Sequence, residues 1–202
     1  MLTEEKSTRI PPLTLTGRVV CLEPLSEVHV PDLYKAGNDE SIWLYMRYGT
    51  MQNEADMRAW VRMLLDAQVR GTDLPFAVIH LETGRAVGCT RYLEIEPHNR
   101  SLEIGGTWYG VAYQRTAVNT ECKYLLLRHA FEELGCIRVQ FKADLRNERS
   151  QRALERIGAV KEGILRDHVI LPGGFVRSSV YYSILVNEWP GIKTRLIEKL
   201  GQ

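Results

Sequence analysis

Hydrophobic residues recur along the chain with two different spacings, and each spacing predicts one kind of element. Met57, Trp60 and Leu64 recur every three to four residues, which is the spacing of an amphipathic helix. Asn53 stands before this stretch as an N-cap and Gly71 follows it as a stop, so a helix is predicted between them. Runs rich in β-branched and aromatic residues predict strands elsewhere.

The predicted elements follow one another in an order that defines the fold class. They are a strand at 17–24, a short helix from Ser26 to about 37, a helix at 54–70, strands at 74–81, 86–95 and 102–109, a helix at 118–134, a strand at 137–143, a helix at 147–157, strands at 159–169 and 175–186, and a helix at 189–200. A central strand–helix–strand unit lies between two groups of strands, which predicts an α/β fold with a mixed sheet. Residues 1–12 are expected to form an extended arm, and residues 13–202 one domain.

Composition narrows the functional classes. The chain has 202 residues, of which 45% are hydrophobic and 25% charged, and its formal net charge is +1. This balance gives no reason to expect nucleic acid or an anionic membrane as a partner. No apolar run is long enough to span a bilayer, and the polar N-terminus does not resemble a secretory signal. We therefore expect a cytoplasmic protein.

Cysteines and histidines give no sign of a metal site. The four cysteines lie far apart and form no Cys-x-x-Cys pair, and the five histidines have no metal-ligand spacing. Free, buried thiols in a reducing compartment are the simplest interpretation. No metal is predicted.

One stretch of the chain carries a pattern typical of phosphate binding. The strand from Glu103 to Gly110 enters a tight loop, and the loop leads directly into a helix. The free N–H groups and the dipole of such a helix start suit a pyrophosphate. An ordinary strand-to-helix connection has the same geometry, so the residues of the loop must decide.

Several segments resemble those of GNAT acetyltransferases. Gln114–Asn119 is similar to their acyl-CoA loop, Gln/Arg-x-x-Gly-x-Gly/Ala, with Ala117 and Asn119 in place of two small residues. Asn147–Ala159 resembles the Asn-x-x-Ser/Ala…Gly-Phe segment that follows the next strand, and Tyr181–Pro190 resembles the closing strand of the RimJ/RimL-like subgroup, the bacterial ribosomal-protein N-terminal acetyltransferases. The resemblance spans about residues 13–193 in the same order, so the chain is identified as a member of the family.

This resemblance implies a mostly antiparallel, twisted sheet of about seven strands with flanking helices and a central β-α-β unit that binds acyl-CoA. It also implies transfer of an acetyl group from acetyl-CoA to a primary amine, of a protein N-terminus or a small molecule, by direct attack in a ternary complex. The expected acetyl-CoA contacts lie at the strand end, in the loop and on the two following helices: Thr107, Trp108, Tyr109, Gln114, Arg115, Thr116, Ala117, Val118, Asn119, Thr120, Asn147 and Ser150.

Glu103 is the candidate general base. An attacking amine must be neutral, and a carboxylate near it can take its proton. Strand alternation predicts that Glu103 shares one side with Thr107 and Tyr109, whereas Leu102, Ile104 and Trp108 share the other. A solvated strand carboxylate is the alternative interpretation of Glu103.

The general acid is not evident from the sequence. Leu154 occupies the position where many GNAT enzymes have a tyrosine that protonates the departing thiolate. By resemblance to the N-terminal acetyltransferase subgroup, Ser150 is a candidate hydrogen-bond donor to the sulfur. A capping contact with Asn147 would explain Ser150 equally well.

The acceptor is expected between the aromatic segment 39–53 and the closing strands, with Trp43, Tyr45, Arg47 and His168 as candidate contacts.

Two alternatives to acetyl transfer stay open. The changes at the acyl-CoA loop and at Leu154 also fit a non-catalytic acyl-CoA sensor, and a longer donor such as succinyl-CoA would need a cation such as Arg47 or Arg91. A homodimer is a further possibility in this fold.

Overall fold

The computed structural model describes residues 10–201, so most of the predicted N-terminal arm lies outside the described residues. Its strands are β1 (Leu15–Thr16), β2 (Val20–Pro24), β3 (Asp73–His80), β4 (Arg85–Glu96), β5 (Ser101–Tyr109), β6 (Arg138–Asp144), β7 (Val160–Ile170) and β8 (Val176–Leu185). Its α-helices are α1 (Val30–Ala36), α2 (Glu54–Arg70), α3 (Ala117–Arg128), α4 (Glu148–Arg156) and α5 (Trp189–Lys199). None of the helices within 10–201 has the length and apolar character needed to cross a bilayer.

All eight strands form one sheet in the order β1-β2-β3-β4-β5-β6-β8-β7. Among the strands of residues 10–201, β5 and β6 alone pair in parallel, and the other neighbouring pairs are antiparallel. The predicted mixed α/β fold is confirmed, with the two-residue β1 as an additional strand. The predicted helix at 118–134 differs in one respect, because residues 129–133 form a π-turn after α3. The hydroxyl of Tyr92 donates to the carbonyl of Leu126 at 2.6 Å, and such an inserted side chain interrupts the helical hydrogen bonds.

Each face of the sheet packs against its own helices. On one face α3 and α5 cover the central strands, and Trp189 of α5 stacks on Phe131 with ring centroids 5.5 Å apart. On the other face α1 and α2 pack through Leu33, Met57 and Trp60. Both cores bury aromatic and branched side chains, whose removal from water stabilises the fold.

The parallel pair β5–β6 separates after three residue pairs. Ser101, Leu102 and Glu103 pair with β6, but β5 continues unpaired with β6 as far as Tyr109. A β-bulge accompanies the separation, since the register with β4 shifts within residues 105–108. Gly106 lies in the bulge with φ = +57°, a conformation that favours glycine. The two strands therefore diverge and leave a wedge between them.

The bulge corrects the predicted alternation along β5. Leu102, Ile104 and Tyr109 belong to the core beneath α3, whereas Trp108 belongs to the core beneath α2. Thr107 also faces α3, because its hydroxyl accepts a hydrogen bond from Lys123. The inserted residue shifts the strand by one position, so Thr107 and Tyr109 lie on the side opposite Glu103.

A buried carboxylate fastens α3 to the start of the sheet. Glu121 is 1% exposed and accepts hydrogen bonds from the backbone N–H groups of Arg18, Val19 and Val20 at 2.7–2.9 Å. Gly17 passes directly beside it, and a Cβ there would lie 2.4 Å from the carboxyl carbon. This contact fixes the helix whose first turn lies at the wedge.

We expect Glu121→Gln to lower the free energy of unfolding by about 2–3 kcal/mol, because an amide accepts fewer of the three buried N–H groups and adds donors without partners. The matching fall in the melting temperature is about 5–10 °C. Urea unfolding followed by circular dichroism measures the effect, with the exposed Glu82→Gln as the control. Equal midpoints for the two variants would contradict the assigned role.

Candidate active site

The wedge between β5 and β6 opens into a cavity of about 890 Å³. Its walls come from β4, β5, β6, the loop after β5, the first turns of α3, α4, the C-terminal part of α2 and the segment around Tyr45. Most predicted site residues line it: Tyr45, Arg47, Glu103, Thr107, Trp108, Tyr109, Gln114, Arg115, Thr116, Asn119, Asn147 and Ser150. Topology therefore brings together residues that lie up to 105 positions apart in the chain, from Tyr45 to Ser150.

Trp43 does not line the cavity and is a correction to the predicted acceptor site. It is 2% exposed, its Nε1 donates to the carbonyl of Gly37 at 2.7 Å, and its ring lies 5.0 Å from that of Trp108. Burying the indole against two other tryptophans outweighs any gain from presenting it to a ligand. Trp43 supports the wall from behind.

Four further predicted residues lie off the cavity wall. Val118 is buried and its N–H donates to Thr116, while the buried hydroxyl of Thr120 accepts from Arg156. Ala117 is exposed at the start of α3. His168 lies on β7 with Nδ1 3.0 Å from Ser179, and burial together with Lys142, Arg47 and Arg177 lowers its pKa.

The loop after β5 is held by its own side chains. Thr116 caps α3 by accepting from the N–H of Val118, and its hydroxyl donates to the carbonyl of Tyr113 at 2.7 Å. Arg115 has φ = +62°, which turns the chain sharply before the helix. Asn119, one of the departures from the family loop, accepts from the hydroxyl of Tyr109 at 3.2 Å. This contact ties the first turn of α3 to the end of β5.

Basic side chains surround this end of the cavity. Arg115, Arg149 and Arg156 all line the wall. Arg149 donates to the side chain of Gln114, so α4 is joined to the loop before α3. A helix start with several guanidinium groups is suited to phosphate groups.

Glu103 lines the cavity from β5, and one of its two carboxylate oxygens, Oε1, has no hydrogen-bond partner among residues 10–201. It is 4% exposed, and its Oε2 lies 2.9 Å from Nζ of Lys142 and accepts from Gln140. Its Oε1 points toward Gly105, where a Cβ would lie 2.9 Å from it. Burial raises the pKa of Glu103, and the bonds from Lys142 and Gln140 only partly oppose this. The residue is thus a buried carboxylate, and its interpretation as a solvated strand side chain is wrong.

Asn147 and Ser150 share one helix cap at the cavity. The side-chain oxygen of Asn147 accepts from the backbone N–H of Ser150 at 3.0 Å. The cap therefore uses the backbone of Ser150, and its hydroxyl has no hydrogen-bond partner within residues 10–201. Both interpretations of Ser150 made from the sequence are compatible with this arrangement.

Two basic residues on the cavity wall, Arg91 and Lys123, differ in their partners, because Arg91 faces a carboxylate and Lys123 a hydroxyl. Nε of Arg91 lies 3.2 Å from Oδ2 of Asp73, and Arg91 also donates to the hydroxyl of Tyr48. Lys123 on α3, which was not identified from the sequence, is 5% exposed and donates to Thr107 at 2.8 Å. The signal that marks it is a charged residue inside the otherwise apolar stretch 122–127.

The cysteines take no part in the site. All four are free and buried, and burial raises the pKa of the Cys89 and Cys122 thiols to about 12. These two thiols are therefore protonated at neutral pH and are poor nucleophiles. Within residues 10–201, no group of three or more histidine, cysteine or acidic side chains is placed to hold a metal ion.

Comparison with known proteins identifies the family. The family model of the acetyltransferase (GNAT) domain matches residues 20–160, which include β2 to α4 and most of the cavity wall. The chain belongs to the GNAT acetyltransferase family. The loop, the wedge and the carboxylate on β5 thus lie in a GNAT domain, and the GNAT family uses acetyl-CoA as its co-substrate.

Individual relatives support the same assignment. "Putative ribosomal N-acetyltransferase YdaF" of Bacillus subtilis is 35% identical over 113 residues, which are 56% of this chain and 61% of that protein. A crystal structure from T. thermophilus, named "putative acetyltransferase", is 40% identical with a TM-score of 0.86, and the match covers 95% of this chain and 98% of the other. The predicted resemblance to the ribosomal-protein subgroup is confirmed.

A more distant structure shares the fold. RimJ of Mycobacterium smegmatis, solved in complex with CoA-disulfide, has a TM-score of 0.78 at 20% identity, and the match covers 94% of this chain and 95% of that one. The whole GNAT sheet, including the closing strands β7 and β8, is therefore shared beyond the residues matched by the family model.

Gly106→Ala and Gly84→Ala form a matched pair that tests the bulge. Both glycines have positive φ, +57° and +63°, but a Cβ at Gly106 would lie 2.8 Å from Nε of Arg91 whereas one at Gly84 meets nothing within 4 Å. We expect each substitution to cost about 1–2 kcal/mol of backbone strain. Only Gly106→Ala should also weaken acetyl-CoA binding, measured by isothermal titration. Equal binding by both variants would show that the bulge does not shape the site.

Proposed function

We propose that this GNAT protein transfers an acetyl group from acetyl-CoA to a primary amine by direct attack in a ternary complex. One observation carries the proposal. The wedge between β5 and β6 joins a basic, phosphate-suited end at α3 to a buried carboxylate, Glu103, within one cavity. Such an arrangement holds an anionic donor and an amine acceptor side by side, which supplies the proximity that the reaction needs.

The donor end supports acetyl-CoA. The capped start of α3 and the guanidinium groups of Arg115, Arg149 and Arg156 are suited to the phosphates. Asn147 and Ser150 lie farther along the wall, where a pantetheine arm can reach them. The CoA-disulfide bound by the M. smegmatis RimJ, which has the same fold, is consistent with this donor.

The acceptor end supports an amine. Glu103 and Glu94 hold Lys142 between them, and Oε1 of Glu103 is directed toward Gly105 in the cavity. A carboxylate whose pKa is raised by burial is a stronger base than an exposed one. Tyr45 and Arg47 lie on the wall at this end, and His168 lies nearby on β7. We infer a protein N-terminus as the acceptor, with small amines as the second class, which is in keeping with the name of the YdaF relative, a putative ribosomal N-acetyltransferase.

The longer-donor alternative is weakened by the state of Arg91. Its guanidinium already faces Asp73 and Tyr48, so a succinyl carboxylate would have to displace both. Arg47 is exposed and is the better candidate for that role. Comparing acetyl-CoA with succinyl-CoA in one assay, with Arg47→Met as a variant, separates the two donors.

Location and assembly complete the proposal. Free, buried cysteines suit a reducing compartment, and we place the enzyme in the cytoplasm. The edge strand β7 exposes Val160, Ile164, Leu165 and Ile170, which favours a homodimer through the closing strands. Light scattering during size-exclusion chromatography measures the mass.

Glu103→Gln should retain acetyl-CoA binding and lower kcat by about 10²-fold or more, because the amide cannot accept the proton of the amine. In the wild type, kcat should rise with pH through the raised pKa of Glu103, since only the ionised form is a base. This acidic limb should be absent in the variant. The exposed Glu96→Gln is the control. An unchanged kcat for Glu103→Gln would exclude it as the base.

The sensor alternative is tested by binding followed by turnover. Isothermal titration with acetyl-CoA comes first, and a thiol-release assay over a panel of peptides, polyamines and amino acids follows. Binding without turnover on every amine would favour a sensor. Absence of binding would contradict both functions.

A further inference from the structure

Lys123 is a buried ammonium group that lines the cavity. It is 5% exposed, and its Nζ donates to Oγ1 of Thr107 at 2.8 Å and lies 5.8 Å from the ring centroid of Phe141. Thr107 in turn lies 2.8 Å from the hydroxyl of the fully buried Thr90. Either threonine hydroxyl can be the donor in this bond, because Thr107 has a second lone pair beside the one that Lys123 occupies.

Lys123 has no ion-pair partner among the described residues. The lysine ion pairs of the cavity join Lys142 to Glu94 and Glu103, and Lys123 takes part in none of those found among residues 10–201. An ammonium has three N–H donors, and the part of the chain that the structure describes uses one of them. Burying a charge without a partner costs several kcal/mol, so packing alone does not explain a lysine where methionine would fit. Two donors therefore remain for a ligand.

The position of Lys123 corresponds to the reacting end of the donor. It lies six residues into α3, about 9 Å from the helix start at 1.5 Å per residue. Thr107, to which it donates, lies four residues after Glu103 on β5. Lys123 thus lines the same cavity as the phosphate-suited start of α3 and the candidate base, and it is joined to the strand that carries that base.

We propose that Lys123 is a catalytic residue whose ammonium binds the thioester end of the acyl donor and protonates the coenzyme A thiolate as it leaves. This inference rests on the acetyl-transfer function proposed above. The amine nitrogen forms a bond to the carbonyl carbon and gives its proton to Glu103. The carbon–sulfur bond breaks with its electron pair on sulfur, and a proton from Lys123 converts the thiolate to the thiol. Solvent then returns a proton to Lys123 and removes one from Glu103.

The acidity of Lys123 suits this role. Burial lowers its pKa to about 8, whereas nearby Cys122 and Glu103 act in the opposite direction. An alkyl thiol has a pKa of about 8.5, so transfer of the proton is nearly balanced in energy. The other titratable groups that face this part of the cavity are Tyr109 on β5, Lys142 and Asp144 on β6, and Arg156 on α4. Burial raises the pKa of Tyr109 well above its usual value, and the bonds of Lys142 to Glu94 and Glu103 outweigh burial and raise its pKa, so neither titrates near 8.

Lys123→Met tests the proposal, since methionine is an unbranched side chain one atom shorter than lysine and has no ionisable proton. We expect unchanged acetyl-CoA binding within about threefold and a fall in kcat of about 10²-fold or more. In the wild type, kcat should decrease as the pH rises through about 8, because the acid form is consumed. The variant should lose this alkaline limb. Lys161→Met, at an exposed position on β7, is the matched control.

A change of leaving group separates proton donation from other roles. An aryl thioester releases a thiol far more acidic than coenzyme A, and its thiolate needs no proton to depart. The defect of Lys123→Met in kcat/KM should therefore shrink by about tenfold or more with this donor. Lys123→Arg keeps the charge but holds its proton too tightly to give it up. Full recovery of kcat by arginine would show that only the charge matters and would overturn the proposal.

Chemical labelling supplies a readout that needs no turnover. The rate at which Lys123 reacts with an amine-selective reagent, followed by peptide mass spectrometry, should titrate near pH 8 and fall when coenzyme A is bound. A lack of protection would overturn the proposal even if Lys123→Met failed to fold. So would stoichiometric acetylation of Lys123 by acetyl-CoA in the absence of an acceptor. If the wild type transfers acetyl to no amine, the proposed function fails instead, and the labelling result still reports on Lys123.

Discussion

The early end of the β5–β6 pairing is the constraint on which the site depends. Neighbouring parallel strands usually hydrogen-bond to each other along their shared length. Here the hydrogen bonds between β5 and β6 stop at Glu103, and the strands diverge. The unpaired backbone becomes part of a cavity wall, and the side chains of both sheet faces reach the opening. Gly106 makes this possible, because its positive φ allows the bulge that bends β5 away from β6. A fully paired sheet of the same strands would leave no room between them.

Because of the bulge, Glu103 and the Lys123 ammonium lie on opposite sides of β5. Glu103 lies before it and contacts Lys142, while Thr107 lies after it and contacts Lys123 on α3. Burial raises the pKa of the Glu103 carboxyl and lowers that of the Lys123 ammonium, so both pKa values shift toward neutral pH. A base and an acid placed on two sides of one strand are what acyl transfer to an amine requires. The strand thus separates the two proton transfers in space.

Much of the fold was predictable because its signals are local. The cap at Asn53, the stop at Gly71 and the β-branched runs define elements without reference to the rest of the chain. The facing of Thr107 was not predictable by alternation, since one inserted residue reverses it. Trp43 was assigned to the acceptor because aromatic residues serve both packing and binding, and only three-dimensional neighbours decide between them. Lys123 was missed because helical spacing alone does not tell which helix face meets a gap in the sheet.

The clamp between Glu121 and the turn at residues 17–20 has a consequence for sequence drift in relatives of this protein. Its three donors are backbone groups, so most substitutions at positions 18–20 leave it intact, whereas a proline there would remove a donor. Position 121 has no such freedom, and Gly17 is restricted with it, because any side chain would strike the carboxylate. Substitutions are therefore tolerated on the backbone side of this contact, at positions 18–20, but not at positions 121 and 17. In lineages that lose the acid, the residue at 17 becomes free to vary, and the two positions should change together.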